Sequence, residues 1–276
     1  MLSFDLEDWF QVERLRSAIA RNEWGNYEIR MTSTTEKLLD ILRKHELKAT
    51  FFVLGWIAEK VPGLIWKMKE DGHEIASHGY GHELLHELNK DEFEKDLLMS
   101  KYILKELTGE EILGYRAPSF TITSYVPEIL ERNGFKYDSS FFPCSFNLRY
   151  GKVEMKTITQ DLSIGRLHNG LLEVPISTLR LFGREIPWGG GGYFRLYPYW
   201  LFKMGVKSFA KEKRGYVFYA HPWEMDPGQP RVENTTVLNR FFHYYGLSST
   251  ERKLENLLKD FNFVSIKEGL LKLGLL

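Results

Sequence analysis

The sequence has one cysteine among its 276 residues, no long uninterrupted apolar run and no net charge. With Cys144 alone, an internal disulfide and a cysteine-rich metal site are both excluded. No segment approaches the ~18 consecutive apolar residues of a membrane-spanning helix, and the N-terminus shows no charged and apolar leader. The 37 basic residues are balanced by 37 acidic ones, which argues against a nucleic-acid partner. We therefore expect a soluble, cytoplasmic protein without a transmembrane segment.

Strand-like and helix-like segments alternate along the chain. Short apolar runs that favour β-strands lie at 2–5, 48–55, 73–78, 111–118, 135–140 and 215–224. The predicted helices lie at 33–47, with Ser33 and Glu36 as a capping box, at 61–72, at 89–109, near 124–134, and after the capping-box pair Ser248 and Glu251. Such alternation predicts a mainly parallel sheet and, when the sheet closes, a barrel.

The alternation of strands and helices stops over residues 141–192. This segment contains short β-like pieces such as LLEVPIST (171–178) and runs into WGGGGYF (188–194). A chain of this length is commonly a single domain when it forms an α/β barrel. We therefore predict one domain over 1–276, with a β-rich insertion at 141–195 and a C-terminal extension at 225–276.

Polar residues lie at or just past the ends of five predicted strands. They are Asp5, His78, Arg116, Asp138 and His221. In parallel α/β folds the catalytic groups lie at the carboxyl ends of the strands and on the loops that follow. We therefore expect these side chains to share one site.

The stretch SHGYGH places His78 and His82 four residues apart. This spacing lets two imidazoles on one helical turn bind the same metal ion, although surface or helix-packing histidines are the alternative. The stretch SFDLEDWF (3–10) adds three acids, Asp5, Glu7 and Asp8, and clustered acids more often form a solvated loop. Two histidines and one carboxylate make a hydrolytic zinc arrangement, in which a second acid accepts a proton from the attacking water.

Two further residues fit such chemistry. Arg116, in GYRAPSF, would balance an acid and hold a base carboxylate ionised; the alternative is an ordinary surface arginine. His221, which follows the apolar strand GYVFYA, could protonate an amine leaving group. Taken alone, it is more readily a structural histidine than a catalytic one.

These motifs carry a family resemblance. In chain order they are SFDLED (3–8), ATFFVLG (49–55), SHGYGH (77–82), GYRAP (114–118) and AHPWE (220–224). The chain resembles the polysaccharide deacetylases of the NodB-homology type, carbohydrate esterase family 4, over nearly its whole length. GGGGYFR (189–195) and the segment 243–258 are similar to the branch found in bacterial exopolysaccharide gene clusters. The resemblance implies a distorted (β/α) barrel, a divalent metal, usually zinc, and a hydrolase that removes N-acetyl groups from amino sugars of a poly- or oligosaccharide.

The resemblance also implies roles for individual residues. These are metal binding for His78 and His82, general base for Asp5, a tether to that base for Arg116, general acid for His221 and oxyanion donation by the backbone N–H near Ser119.

Two departures from the family pattern leave choices open. The family opens with two adjacent aspartates, whereas here the third ligand is Asp8 or Glu7; we favour Asp8, because the chain can fold back onto the metal between Asp5 and Asp8. The usual partner of the acid histidine is also missing. Asp138 is the predicted substitute, and Glu173 is its rival.

The aromatic residues around the glycine run are candidate sugar contacts. Trp188, Tyr193 and Phe194 flank or follow it, and a flexible loop of this kind could close over a sugar; a simple turn with core aromatics is the alternative. Two other functions stay open, an allantoinase-like cyclic amidase, which shares these motifs, and a catalytically inactive sugar-binding protein.

Overall fold

The computed structural model describes residues 1–144, 156–157, 164–212 and 214–276. Its strands are β1 (Leu2–Leu6), β2 (Thr50–Val53), β3 (Glu74–Ser77), β4 (Gly114–Tyr115), β5 (Tyr137–Asp138), β6 (Lys156–Thr157), β7 (Gly165–Arg166), β8 (Leu172–Glu173), β9 (Thr178–Leu181), β10 (Arg184–Pro187) and β11 (Phe218–Ala220). Its helices are α1 (Met31–Lys44), α2 (Gly55–Lys60), α3 (Pro62–Glu70), α4 (Lys90–Thr108), α5 (Val126–Arg132), α6 (Gly191–Leu196), α7 (Tyr199–Lys211), α8 (Val237–Tyr244), α9 (Leu247–Asp260) and α10 (Ile266–Lys272). None of the described helices is long and apolar enough to span a membrane.

One curved sheet organises the described part of the chain. Its strand order is β11-β1-β2-β3-β4-β5-β8-β7-β6, and the pairs from β11 to β8 are parallel. The strands β8, β7 and β6 pair antiparallel, and β9 and β10 form a separate hairpin. The distorted (β/α) barrel and its mainly parallel sheet are therefore confirmed. The strand β8 comes from the segment predicted as an insertion, yet it continues the parallel sheet beside β5.

The helix signals differ in how well they locate helix ends. The helix α4 begins after Asn89, whose side chain accepts from the N–H groups of Asp91 and Glu92, and ends at Gly109 with φ +68°. This agrees with the predicted start and stop. The helix α1 instead begins at Met31, before Ser33, and its first N–H groups are capped by a carboxylate distant in sequence, that of Asp8.

The helix α9 also begins earlier than its capping-box pair indicated. Its N-cap is Gly246, with φ +76°, and Leu247 is its first residue. A Cβ at Gly246 would approach the backbone carbonyl of Arg195 to 3.0 Å. The left-handed conformation and this close approach explain why glycine, rather than Ser248, stands at the cap.

The strand β1 lies between β11 and β2 in the parallel sheet and is buried along its whole length. It pairs with β11 through Phe4 and Ala220, and with β2 through Phe4 and Phe51. A parallel strand covered on both faces reads as a near-continuous apolar run, which explains the composition of these segments. Because the parallel strands end at one edge of the sheet, the residues that follow β1, β3 and β11 meet there.

Candidate metal centre and catalytic cleft

A cavity of about 190 Å³ lies at the carboxyl ends of the parallel strands. Its lining includes Asp5, Glu7, His78, His82, Ser119, Tyr193 and His221. Five segments far apart in sequence therefore line the cavity, and Asp5, His78 and His221 meet there as their strand-end positions predicted. Arg116 lies directly beneath, hydrogen-bonded to Asp5.

Glu7, His78 and His82 form a cluster whose potential ligand atoms all lie within 4.8 Å of one another. The Nδ1 atom of His78 is 2.7 Å from the backbone oxygen of Arg116. A donor hydrogen bond there leaves Nε2 with its lone pair, which is the usual arrangement for a metal-binding histidine. Burial lowers the pKa of His78 to about 4, so the ring is neutral at pH 7, as ligation requires.

The carboxylate of Glu7 completes this cluster. Its Oε2 atom lies 2.8 Å from Nε2 of His82, and its Oε1 accepts from the indole N–H of Trp223 at 3.3 Å. Burial works against the charged form of Glu7, but His82 and His221 outweigh it and lower the pKa to about 2. At this distance either a proton lies between the imidazole nitrogen and the carboxylate oxygen, or both atoms bind the same metal cation. One carboxylate and two imidazoles, with the cavity open beside them, suit a divalent metal such as zinc.

The backbone at His82 supports a specialised role. Its φ is +56°, a conformation that non-glycine residues adopt only at a cost of about 1–3 kcal/mol. The preceding Gly81 packs so closely on Arg21 that a Cβ would overlap the guanidinium. The left-handed backbone at His82 accompanies the orientation that brings its Nε2 within 2.8 Å of Oε2 of Glu7.

Asp8 does not lie where a metal ligand was expected. Its Oδ1 accepts from the N–H of Trp9 at 2.8 Å, and its Oδ2 accepts from the N–H groups of Arg30 at 2.7 Å and Met31 at 3.0 Å. Successive residues of an extended chain point to opposite sides, so Glu7 and Asp8 diverge. Asp8 caps α1, and the expected ligand is corrected from Asp8 to Glu7.

Asp5 and Arg116 form a buried ion pair. The Nη1 atom of Arg116 donates to Oδ1 of Asp5 at 2.5 Å, and its other nitrogens donate to the backbone oxygen and the hydroxyl of Ser139. Its guanidinium carbon lies 4.0 Å from the ring centroid of Phe52. Each nitrogen of the guanidinium therefore donates a hydrogen bond. Arg116 orients the Asp5 carboxylate, which is the pairing that the family resemblance implies.

His221 lies across the cavity from this pair. Its Nδ1 is 3.1 Å from Oε2 of Glu224, while Nε2 is 3.3 Å from Oε1 of Glu7 and 3.9 Å from Oδ2 of Asp5. Burial disfavours the charged ring, but the carboxylates of Glu7, Glu224 and Asp5 outweigh it and raise the pKa of His221 to about 9 in the metal-free site. A protonated ring with one nitrogen facing the cavity can act as an acid.

Asp138, the predicted partner of His221, serves another part of the fold. It accepts from the Ser140 hydroxyl and is hydrogen-bonded to Glu173, its neighbour across β5 and β8. Burial raises the pKa of Asp138 to about 6, and burial together with the charge of Asp138 raises the pKa of Glu173 well above its usual value. The strands β1 to β4 separate β5 from β11 in the sheet. The expected partner is therefore corrected from Asp138, or its rival Glu173, to Glu224.

Glu224 and Arg195 are the residues that the sequence reading missed. The Nε atom of Arg195 donates to Oε1 of Glu224 at 2.8 Å, and the two side chains are 3% and 1% exposed. A signal was present, because Glu224 stands three residues after His221, in capping-box spacing, and its carboxylate accepts the N–H of His221 at 2.9 Å. Arg195 ends the quoted run GGGGYFR, but nothing in the sequence names its partner.

The predicted sugar contacts divide into two groups. Ser119, with φ +52°, and Tyr193 line the cavity. Trp188 and Phe194 are buried in the core instead, with the Trp188 ring stacked on Phe202 at a centroid distance of 6.0 Å. The expectation for these two is corrected, because their apolar rings fill the space between α6, α7 and the sheet.

The glycine run is packed rather than flexible. A Cβ at Gly191 would lie 2.0 Å from Oε2 of Glu224, and one at Gly190 would lie 2.9 Å from the Tyr219 ring. These glycines allow α6 to approach β11 and Glu224 closely. The expected closing loop is thus the tightly packed start of α6.

Comparison with known proteins agrees with this geometry. Residues 24–137 match the family described as polysaccharide deacetylase, and residues 139–271 match a family described as a domain of unknown function, DUF3473. A solved structure titled as a putative polysaccharide deacetylase from Mycobacterium smegmatis superposes with a TM-score of 0.62 at 21% identity, covering 97% of this chain and 88% of that one. It supports the fold.

Two curated relatives each match less than half of this chain. A peptidoglycan-N-acetylglucosamine deacetylase of Bacillus cereus is 40% identical over 97 residues, which are 35% of this chain and 33% of that protein. A peptidoglycan deacetylase of Helicobacter pylori is 34% identical over 117 residues, which are 42% of this chain and 40% of that protein. The matched segments thus span about a third to two fifths of these relatives. Residues 24–137 therefore match the polysaccharide deacetylase family, and the chain shares the fold of the solved structure above.

Proposed function

We propose that the chain is a metal-dependent hydrolase that removes N-acetyl groups from the amino sugars of a poly- or oligosaccharide. The observation that carries the proposal is that one cavity holds three sets of side chains. These are the cluster Glu7, His78 and His82, the carboxylate of Asp5 with Arg116 bonded beneath it, and the pair His221 and Glu224. The two relatives above are named as peptidoglycan deacetylases, and peptidoglycan is one glycan of the proposed class.

A divalent metal held by Glu7, His78 and His82, zinc being the first choice for this ligand set, would lower the pKa of water and polarise an acetyl carbonyl. Asp5 accepts the proton of the water that adds to the carbonyl carbon. Arg116 keeps the Asp5 carboxylate in a fixed orientation, since its guanidinium donates to Asp5 and to two oxygens of Ser139.

The second half of the reaction breaks the C–N bond and requires a proton on the departing amine. His221 donates that proton from Nε2, the nitrogen that faces the cavity, while Glu224 holds Nδ1. The products are acetate and the free amino sugar. In this proposal the backbone N–H of Ser119, a residue that borders the same cavity, binds the carbonyl oxygen as negative charge develops on it.

The test measures acetate released from N-acetylated oligosaccharides and from peptidoglycan by the zinc-loaded protein. Bound metal is quantified in parallel for the parent, for His78→Ala and for His168→Ala, whose side chain is 63% exposed. We expect metal and activity to be lost in His78→Ala alone. Ureide hydrolysis without acetate release would favour the cyclic amidase, and sugar binding without turnover would favour an inactive binding protein. Unchanged metal content in His78→Ala would refute the proposed centre.

A further inference from the structure

The region 139–271, whose family description assigns no function, contributes a buried arginine that joins two parts of the cleft. The guanidinium of Arg195 makes four hydrogen bonds. Its acceptors are Oε1 of Glu224 at 2.8 Å and the backbone oxygens of Phe242 at 3.0 Å, His243 at 2.9 Å and Tyr245 at 2.6 Å. The three carbonyls lie at the end of α8, where a helix has no internal donors left. A cation at that end is also favoured by the helix dipole.

The carboxylate of Glu224 is divided between two partners. One oxygen, Oε1, accepts only the Arg195 bond among the hydrogen bonds described, while Oε2 accepts the N–H of His221 and faces its Nδ1. Glu224 therefore cannot rotate without losing a bond on one side. Because Nδ1 of His221 is fixed by Oε2, the direction in which Nε2 points depends on Arg195 through Glu224.

The same arginine fixes one wall of the cavity. Phe242 and His243 of α8 line the cavity beside His221, and their backbone oxygens are Arg195 acceptors. The ring of Trp223 lies between the two histidines, with centroids 5.3 Å from His221 and 4.7 Å from His243. Trp223 thus packs His221 against the α8 wall of the cavity.

Two contacts keep Arg195 itself in place. Lys253 of α9 donates to the backbone oxygens of Phe194, Arg195 and Tyr197, at the end of α6. Gly191, at the start of α6, leaves room for the Glu224 carboxylate. The backbone that carries Arg195 is therefore held by Lys253 at the end of α6, while the start of α6 packs against Glu224.

We propose that Arg195 is a positioning residue that directs His221 toward the reacting nitrogen and keeps the end of α8 in place beside it. The function of the 139–271 region is, on this view, to complete the catalytic centre. The inference rests on the proposed function for its kinetic consequence, but the geometry of His221 can be measured without turnover.

The experiment uses the zinc-loaded full chain and compares Arg195→Lys, Arg195→Gln and Arg195→Ala with Arg252→Gln, an exposed arginine of α9. The first readout is the NMR resonance of the His221 Nδ1 proton in protein labelled with ¹⁵N-histidine, assigned with His221→Gln. Hydrogen bonding to a carboxylate moves that proton downfield. We expect the shift in the parent and in Arg252→Gln, and its loss in the Arg195 variants.

The second readout is steady-state kinetics on an N-acetylated oligosaccharide. We expect kcat to fall about 10- to 100-fold in Arg195→Lys, since general acid catalysis is worth about 10²–10⁴-fold, with a smaller change in KM. Guanidinium ion should restore part of kcat to Arg195→Ala, whereas potassium chloride at equal concentration should not. Lysine keeps the charge, so this variant remains informative where Arg195→Gln fails to fold.

Full kcat and an unchanged Nδ1 resonance in Arg195→Lys, at whatever thermal stability, would overturn the inference. If the parent releases no acetate from any substrate, the proposed function fails and the NMR comparison alone decides the role of Arg195. A parent with activity but no kcat loss in the variants leaves the deacetylase proposal intact and refutes the positioning role.

Discussion

Exchanging two adjacent acids for their amides separates metal binding from helix capping. Glu7→Gln and Asp8→Asn remove the same charge at neighbouring positions, so each variant is the control for the other. Glu7 faces His82 at 2.8 Å, whereas both oxygens of Asp8 accept backbone N–H groups. We expect Glu7→Gln to lose bound metal and Asp8→Asn to keep it.

The magnitude for Asp8→Asn follows from its hydrogen bonds. An asparagine oxygen can still accept from Arg30 and Met31, but its NH₂ group then faces the N–H of Trp9, so one buried donor loses its acceptor. Such a loss costs about 1–3 kcal/mol. At roughly 2–4 °C per kcal/mol for a chain near this size, the melting temperature should fall by about 2–12 °C.

The assay measures bound zinc by elemental analysis after dialysis, together with thermal unfolding of the metal-free proteins. We expect Asp8→Asn to be less stable with stoichiometric zinc, and Glu7→Gln to have little zinc and to lose at least about 10²-fold in acetate release. Loss of zinc in Asp8→Asn at unchanged melting temperature, with zinc retained in Glu7→Gln, would show that Asp8 is the ligand after all.

Three further perturbations have expected outcomes. Gly191→Ala should lower the free energy of unfolding by about 1–3 kcal/mol, because its Cβ would overlap Glu224, while Gly192→Ala, with no atom within 4 Å of its Cβ, should leave the melting temperature near that of the parent. Trp223→Phe keeps the stacked ring but removes the N–H that Glu7 accepts, so metal affinity should fall about 10-fold, measured by competition with a chelator. Burial and Lys48 lower the pKa of His73 to about 4, so the folded state binds fewer protons than the unfolded state between about pH 4 and 6.5. The stability that neutral His73 contributes is complete above pH 6.5 and is lost as the pH falls toward 4. At 1.36 kcal/mol per pKa unit the loss reaches about 3 kcal/mol, and chemical denaturation of His73→Gln across this range should show a shallower decline; an identical slope would contradict the assignment.

The fold could be predicted where the signal is local or periodic. The ends of α4 were evident from Asn89 and Gly109, and the strand-end positions of Asp5, His78 and His221 brought them to one cavity. Both inferences depend on properties of a single segment or of parallel sheets in general. They did not require knowledge of which side chains meet.

The choices that failed depend on partners far away in sequence. Asp8 was preferred over Glu7 because nothing in the local stretch indicates that the N–H groups of Arg30 and Met31, more than twenty residues later, require a carboxylate. Similarly, Asp138 stands at a strand end like the other site residues, yet its distance from His221 is set by the strand order.

The burial of the aromatic residues could not be predicted from the local sequence either. Trp188 and Tyr193 flank the same glycines, but one ring is buried and the other borders the cavity. Composition favours sugar contacts and core packing equally for such residues. Only the path of α6 across β11, which the glycines permit, separates them.

The pairing of β1 with β11 has a consequence for how the chain folds. Ser3 and Phe218 are hydrogen-bonded across 215 residues of sequence, and contacts this distant form slowly because a long loop must first be closed. Asp5 and Glu7 meet His221 only when this last parallel pairing is made. Appearance of the complete site during refolding should therefore lag behind helix formation, and a nascent chain that has not yet added β11 would lack His221, the proposed acid.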